Sequence, residues 1–182
     1  TSLDLSHNRI SDRGVKAIAK ALGDGSVVSH LNLSDNLIHA DGGRHLGRAL
    51  TTNTSLEVLN LRLNRLCDDG GIRLIEGLLK NQTLANLNLA SNAVGLGTAR
   101  ALCAVLEQCA SLRALDLGGN ELSDEAGELL LEALGRNESL AQVELRANDV
   151  LADTAASIDE LCTANAEKAR VEAMRGALDV YY

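Results

Sequence analysis

The feature that most constrains this chain is an asparagine that recurs every 28 residues with no insertion or deletion. The six copies are Asn8, Asn36, Asn64, Asn92, Asn120 and Asn148. A leucine stands three residues before each copy, a leucine or valine stands five before it, and an aliphatic residue follows two positions after it. A period of this length predicts one supersecondary unit used about six times, because a single unit cannot bury its own apolar face.

Each unit has the pattern of a short strand, a turn and a helix. The leucine–x–leucine alternation predicts a strand with both leucines in the core. The asparagine stands at the bend, where its amide can bond unpaired backbone groups and it tolerates unusual backbone angles, so we predict a buried structural ladder of asparagines. Apolar residues then recur at helical spacing; in the first unit these are Gly14, Ala17, Ile18, Ala21 and Leu22.

Polar residues mark both ends of the predicted helices. Candidate caps at the helix starts are Ser11 with Asp12, Asp68 with Asp69, and Ser123 with Asp124. Four helices are predicted to end at an asparagine in the left-handed conformation; these are Asn53, Asn81, Asn137 and Asn165. Cys109 takes that position once.

The combined pattern LxxLxLxxNxL resembles the leucine-rich repeat family, and the length of the unit resembles its ribonuclease-inhibitor-like branch. The resemblance covers residues 1 to about 167. It implies an α/β solenoid of six strand–turn–helix repeats, with parallel strands on the concave face and helices on the convex face. Consecutive strands are expected to be joined by right-handed crossovers.

The two ends depart from the repeat. Thr1 lies directly inside the first strand pattern, so we expect the first repeat to lack its start. We assign residues 1–167 to the repeat domain and residues 168–182 to a helical C-terminal cap or tail. The sixth helix is expected over roughly 153–164, followed by a second helical stretch from residue 166. Tyr181 and Tyr182 are the only aromatic residues, and they are either a frayed end or an anchor for a neighbouring protein.

Composition excludes several classes of partner. Seventeen basic residues against 25 acidic ones give a net charge of −8, which disfavours nucleic acid as a partner. No apolar run has the length of a membrane span, so we expect no membrane partner. The cysteines form no CxxC pair and have no histidine at metal spacing; they are Cys67, Cys103, Cys109 and Cys162. We therefore predict free thiols in the cytoplasm and no metal or other cofactor.

No catalytic constellation is visible. His7, His30, His39 and His45 are scattered, and we expect no serine or cysteine to form a nucleophile–base pair with them. The segment from Gly95 to Gly97 enters a helix but lacks the third glycine and the lysine of a phosphate loop. We predict a non-catalytic protein with no small-molecule substrate.

The remaining candidate site is the concave face of the predicted sheet. Outward-facing polar side chains from successive strands are expected to line up there as a partner-binding surface. The candidates are His30, Asn32, Asn60, Arg62, Asn88, Asp116, Glu144 and Arg146.

Two segments resemble one family more closely, the subunit 5 family of the dynein regulatory complex. They are residues 59–71, LNLRLNRLCDDGG, and the drifting sixth repeat, ELRANDV at 144–150 with LCTANAEKAR at 161–170. The resemblance implies a non-catalytic structural subunit of the nexin–dynein regulatory complex in the axoneme of a cilium or flagellum. Its partners would then be other axonemal proteins.

Three other families remain open as alternatives. The repeats also resemble those of NLR-like cytosolic sensors and of ribonuclease-inhibitor-like inhibitors. A more remote resemblance is to the Ran GTPase activators, which need an arginine in a repeat loop; Arg9 and Arg65 each follow a ladder asparagine. No acidic tail of the kind found in that family follows the repeats.

Overall fold

The computed structural model describes residues 1–23 and 25–179, with side chains described as far as residue 175. The strands are β1 (Ser2–Asp4), β2 (His30–Asn32), β3 (Val58–Asn60), β4 (Asn86–Asn88), β5 (Ala114–Asp116) and β6 (Gln142–Glu144). The helices are α1 (Asp12–Ala21), α2 (Ala40–Leu50), α3 (Cys67–Glu76), α4 (Leu96–Leu106), α5 (Asp124–Leu134) and α6 (Ala152–Asp179). A 3₁₀ turn at Gly77–Leu79 extends α3.

All six strands form one parallel sheet in chain order from β1 to β6. Each residue pairs with the residue 28 positions later, as Leu31 pairs with Leu59. Each strand is followed by a helix, so the predicted solenoid of six strand–turn–helix repeats is confirmed. Because of this register, equivalent side chains of successive repeats lie side by side across the sheet.

The core between sheet and helices is almost wholly aliphatic. Leu33, Leu61, Leu89 and Leu117 are fully buried at equivalent positions of four successive repeats. The helices bury their leucines against the same layer, as Leu74 and its neighbours do in α3. A stack of identical units creates many equivalent sites of one size, which explains why the sequence needs no Phe or Trp.

The ladder asparagines join adjacent repeats. Asn64 Nδ2 donates to the Leu33 carbonyl of the preceding repeat at 2.9 Å and to the Leu61 carbonyl of its own repeat at 3.0 Å. Asn64 Oδ1 accepts from the Ile38 N–H of the preceding repeat at 3.1 Å. The same bonds recur at Asn36, Asn92, Asn120 and Asn148. Asn8 is exposed, and its side chain bonds only carbonyls of its own repeat.

The chain bends at the residue immediately before each ladder asparagine. Positive φ values between 53° and 66° occur at His7, Asp35, Leu63, Ser91, Gly119 and Ala147. The prediction that the asparagine itself takes the unusual backbone angle is therefore wrong. The left-handed residue turns the chain so that the following amide points inward and reaches carbonyls of two repeats.

A second row of buried amides lies where the helices end. Asn81 Nδ2 donates to the carbonyls of Leu50 and Asn53 at 2.9 and 3.0 Å. Asn81 Oδ1 accepts from the N–H groups of Thr83 and Leu84 at 3.0 and 2.7 Å. Related bonds are made by Asn53, Asn137 and Asn165.

None of these four asparagines has a positive φ, so the predicted left-handed helix ends are wrong. Asparagine suits this position because its side chain can donate to carbonyls of the preceding repeat and accept from backbone N–H groups just before the next strand. The backbone angle at the position places no special demand on the residue.

The start of α4 is capped by a carboxylate that belongs to the preceding repeat. Asp68 lies in α3, yet its Oδ1 accepts from the N–H groups of Gly95 and Thr98 at 2.8 and 2.9 Å. Its Oδ2 accepts from the Gly97 N–H at 3.0 Å. Burial opposes ionisation of this carboxyl, but the bonds from Gly95, Thr98 and Gly97 outweigh that cost and lower its pKa.

The same arrangement occurs at every second repeat. Asp12 accepts from the backbone at the start of α2, and Asp124 does so at the start of α6. The intervening repeats carry an apolar residue at the same position: Ala40, Leu96 and Ala152. The expected caps at Ser11 and Ser123 do not form, since neither side chain bonds its own helix.

The last helix is continuous from Ala152 to Asp179, where two helical stretches were predicted. No proline or glycine interrupts the segment 152–175, and Asn165 is accommodated inside the helix. The expected domain boundary at 167/168 thus falls within α6. From 166 to 175 every residue is exposed. Tyr181 and Tyr182 lie outside the described residues.

Candidate protein-binding surface

The polar residues between the core leucines form one row across the concave face. In-register pairing brings Asn32 beside Asn60 and Asn88 beside Asp116. Neighbouring strands lie about 4.8 Å apart, so the row is close-spaced. The candidate residues Asn32, Asn60, Asn88, Asp116 and Glu144 all stand in this row. Arg62 and Arg146 follow two positions later, and His30 stands two positions before the row.

Each residue of the row also has a structural task that sequence reasoning missed. Its side-chain oxygen accepts a hydrogen bond from the backbone N–H two residues later. The acceptors are Asp4, Asn32, Asn60, Asn88, Asp116 and Glu144, at 2.9 to 3.1 Å. An Asn or Asp three residues before the chain bend is the sequence signal for this turn.

Part of this row lines a shallow groove of about 460 Å³ that spans β3 to β6. Polar lining residues are Asn60, Asn86, Asn88, Asp116, Gln142, Glu144 and Arg146; apolar ones are Val58, Leu59, Leu87, Ala114 and Leu115. Asn86 and Gln142 are exposed and were not among the predicted candidates. They stand in the same column as His30, two positions before the row.

The repeat-six end of the groove is rich in hydrogen-bond acceptors. Asp116 Oδ2 accepts from Asn88 Nδ2 at 2.8 Å. Glu144 Oε1 lies 2.8 Å from Arg146 Nε. The bond from Arg146 lowers the pKa of Glu144 despite the opposing effect of burial. Glu144 is therefore ionised at neutral pH, and its negative charge is paired with the positive charge of Arg146.

The opposite end of the concave face is rich in hydrogen-bond donors. Asn60 uses Oδ1 for the backbone, and its NH₂ group has no hydrogen-bond acceptor among the described residues. Asn32 also uses Oδ1 for the backbone, and its side chain bonds the Asp4 carboxylate. The exposed Arg62 has no carboxylate within ion-pair distance among the described residues. Repeat three thus offers donors at Asn60 and Arg62, whereas repeats five and six carry the carboxylates of Asp116 and Glu144, the second of them paired with Arg146.

A serine–histidine contact occurs that the sequence did not predict. Ser29 Oγ lies 2.9 Å from His30 Nδ1. The same hydroxyl donates to the Thr1 carbonyl at 3.3 Å. Among the described residues, Asp35 pairs with His7 and Asp12 lies near His39, but no carboxylate pairs with His30. This contact is not a nucleophile–base pair, because the Ser29 hydroxyl donates to the Thr1 carbonyl and the histidine lacks the orienting carboxylate of a catalytic triad.

The segment from Gly95 to Gly97 carries no open anion site, because its N–H groups and that of Thr98 already bond Asp68. The cysteines of the structure are free; Cys67 is exposed, Cys103 half-buried, and Cys109 and Cys162 buried. Burial raises the pKa of the Cys162 thiol to about 11.

No group of three or more His, Cys, Asp or Glu within the described residues could hold a metal ion. Across 1–23 and 25–179, no helix is long and apolar enough to cross a membrane.

Comparison with known families agrees with this architecture. A model of the leucine-rich repeat family matches residues 1–19, 52–74 and 108–131. The chain therefore has the fold and the sequence signature of a leucine-rich repeat solenoid. Comparison with the curated proteins gives no significant match.

Two of the solved structures that are similar to this chain illustrate the likeness. Leiomodin-1 Actin-Binding Site 2 has a TM-score of 0.70 at 20% identity, over 78% of this chain and 82% of that one. The tropomodulin C-terminal domain of Caenorhabditis elegans has a TM-score of 0.44 at 17% identity, over 88% and 98% of the two chains. The first likeness shows that the fold is shared.

Proposed function

We propose that this chain is a non-catalytic protein-binding module that engages its partner through the concave face. The observation that supports this most strongly is the groove across β3 to β6, with polar groups aligned by the repeat register. Its rim combines amides and charges with small apolar side chains such as Val58 and Ala114. Such a surface suits a polypeptide, which offers both backbone polar groups and side chains.

The donor-to-acceptor change along the face favours one polarity of the partner. A carbonyl-rich or acidic part of the partner would meet Asn60 and Arg62. A basic part would meet Asp116. Electrostatic matching of this kind contributes more to orientation and specificity than to raw affinity.

The narrower proposal is a structural subunit of the nexin–dynein regulatory complex, located in the cytoplasm at the axoneme of a cilium or flagellum. It rests on the resemblance of residues 59–71 and of the drifting sixth repeat to the subunit 5 family. In this proposal residues 1–167 form the binding domain and the helical tail from 168 accompanies it. The partners are axonemal proteins, with no nucleic acid, membrane or small-molecule substrate.

A second candidate partner is the actin filament. It is favoured by one observation, the structural likeness to a domain named as an actin-binding site of leiomodin-1. Both candidate partners are cytoskeletal proteins; the first is part of the axoneme and the second is the actin filament.

Co-sedimentation distinguishes them. The chain is mixed separately with filamentous actin and with axonemes stripped by high salt, and each pellet is quantified against the chain alone. We expect saturable retention by the stripped axonemes and none by actin. Retention by actin alone would replace the axonemal proposal with the second candidate. Retention by neither would contradict a cytoskeletal role.

A further inference from the structure

Two helices of the convex face carry opposite charges at equivalent positions. α1 exposes Arg13, Lys16 and Lys20, and α5 exposes Glu125, Glu128 and Glu132. Each α5 residue stands four repeats after its α1 counterpart, so both rows have the same spacing of three and then four residues. This spacing places each row along one side of its helix.

The apolar residue within each row is also complementary in size. Ala17 is exposed on α1 between Lys16 and Lys20. Leu129 is half-buried at the equivalent position of α5. A leucine that projects from one helix fits over an alanine of another, which is how side-chain ridges enter grooves when helices pack.

The central charges of both rows are available for a partner. Lys16 and Glu128 have no oppositely charged group within ion-pair distance among the described residues. Glu125 pairs with Arg100 and Glu132 with Arg136, both at the exposed surface. Exposed pairs of this kind contribute little to stability and can exchange partners.

We propose that α1 of one copy of this chain packs against α5 of a second copy. Leu129 of one copy would then lie on Ala17 of the other, with ion pairs Arg13–Glu125, Lys16–Glu128 and Lys20–Glu132 around them. Because Lys16 and Glu128 are central in their rows, an antiparallel crossing would keep that pair and exchange the outer two. This contact is separate from the concave face and does not depend on the proposed function.

The position of the two helices determines the type of assembly. α1 and α5 lie four repeats apart on the helical side of the sheet, which is the convex side of a leucine-rich repeat solenoid. One partner copy therefore cannot contact both helices at once. The contact is heterologous, and it produces a head-to-tail row of copies.

The test is sedimentation velocity of the 182-residue chain over a concentration series. At low salt we expect reversible, concentration-dependent association, and we expect it to be lost at roughly 0.5 M salt, where exposed charges are screened. Lys16→Glu and Glu128→Lys should each weaken association about tenfold or more. The matched controls Lys80→Glu and Glu57→Lys change charge equally at exposed sites outside both rows and should associate like the unmodified chain.

Mixing the two disruptive variants provides the decisive arm. Each fails alone, but α1 of the Lys16→Glu variant can pack on α5 of the Glu128→Lys variant with an opposite charge at the centre of each row. The second contact in the mixture keeps its original charges, so we expect the mixture to recover the association of the unmodified chain. A chain that stays monomeric at low salt up to about 1 mM, a mixture that does not recover, or controls that weaken as much as the variants would each overturn the proposal. Unchanged thermal unfolding of all variants excludes misfolding as the cause.

Discussion

At the scale of single residues, asparagine holds the repeats together in two separate rows. The ladder row lies behind the strands and depends on a left-handed residue before each amide. The second row follows the ends of α2, α3 and α5 and continues inside α6; Asn53, Asn81 and Asn137 use both the donor and the acceptor of the amide, and Asn165 uses the donor. Each buried amide therefore has its hydrogen bonds satisfied, which is what makes a polar group tolerable inside an aliphatic core.

Cys109 interrupts the second row between Asn81 and Asn137. Its thiol lies 3.4 Å from Ser111 Oγ and cannot reproduce the bonds that an amide makes. Cys109→Asn should raise the free energy of unfolding by about 1 to 2 kcal/mol, since it adds several hydrogen bonds worth about 1 kcal/mol each and loses part of that gain to burial of the amide. Urea unfolding at neutral pH measures the change.

The reciprocal variant provides the control. Asn81 makes the full set of bonds and is 1% exposed, so Asn81→Cys should lower the free energy of unfolding by about 2 to 3 kcal/mol. A Cys109→Asn variant no more stable than the original chain would show that the site has adapted to the thiol.

At the scale of elements, the helices are linked by carboxylates that cap the next repeat. Asp68 receives three backbone N–H bonds from α4, although it belongs to α3. A local cap would stabilise one helix, whereas this cap also fixes the position of one repeat against the next. Because the carboxylates occur in alternate repeats, the structural unit of helix capping is a pair of repeats.

This arrangement predicts a pH dependence. Asp68→Ala should lower the free energy of unfolding by about 2 kcal/mol at neutral pH. The pKa of Asp68 is lowered from 3.8 in the folded chain, so its contribution is present above that value and disappears as the pH falls through the folded pKa. Unfolding curves of both chains from neutral to acidic pH should therefore converge in acid.

Asp69 is the matched control, because it is exposed on the same turn and caps no helix among the described residues. Asp69→Ala should change the free energy of unfolding by less than about 0.5 kcal/mol. A constant difference between Asp68→Ala and the original chain down to strongly acidic pH would contradict the assignment of the effect to ionised Asp68.

The elements also show what sequence alone could provide. The fixed period of 28 residues and the leucine pattern predict strands, helices and register, because every repeat must bury the same face against its neighbours. Asp12, Asp68 and Asp124 were predicted to cap their own helices, whereas they cap the helix of the next repeat, because a contact between different repeats is not visible in the local sequence. The backbone bonds of Asn32 and Asn60 were missed for a different reason, because a polar residue on a strand face does not reveal which of its atoms are already bonded.

At the scale of the whole molecule, each repeat contacts only its neighbours, so stability varies along the stack. Leu3 of the first strand is 38% exposed, while the equivalent Leu59 is fully buried. The net charge also changes along the stack and becomes more negative toward the last repeat. Residues 1–80 contain ten basic and nine acidic residues, and residues 81–182 contain seven and sixteen. The solenoid therefore has a structural and an electrostatic polarity.

Amide hydrogen exchange should report the structural polarity. The Leu5 N–H donates to the Asn32 carbonyl and the Leu89 N–H to the Asp116 carbonyl, both at 2.8 Å. Despite equal bonds, Leu89 is fully buried in a central repeat and Leu5 is only half-buried in the first. We expect the Leu89 amide to exchange at least about 100-fold more slowly. Equal protection of the two would mean that the repeats open together.

The central claim, that the concave face binds the partner, is tested most directly by one pair of matched substitutions. Ala114 lines the groove, and Ala104 is exposed on the convex surface of α4. The dissociation constant of each Ala→Arg variant is measured on the filament that retains the unmodified chain. We predict that Ala114→Arg raises the dissociation constant at least about tenfold, because the arginine fills the groove, and that Ala104→Arg leaves it unchanged. An unchanged constant for Ala114→Arg together with a raised one for Ala104→Arg would contradict the claim.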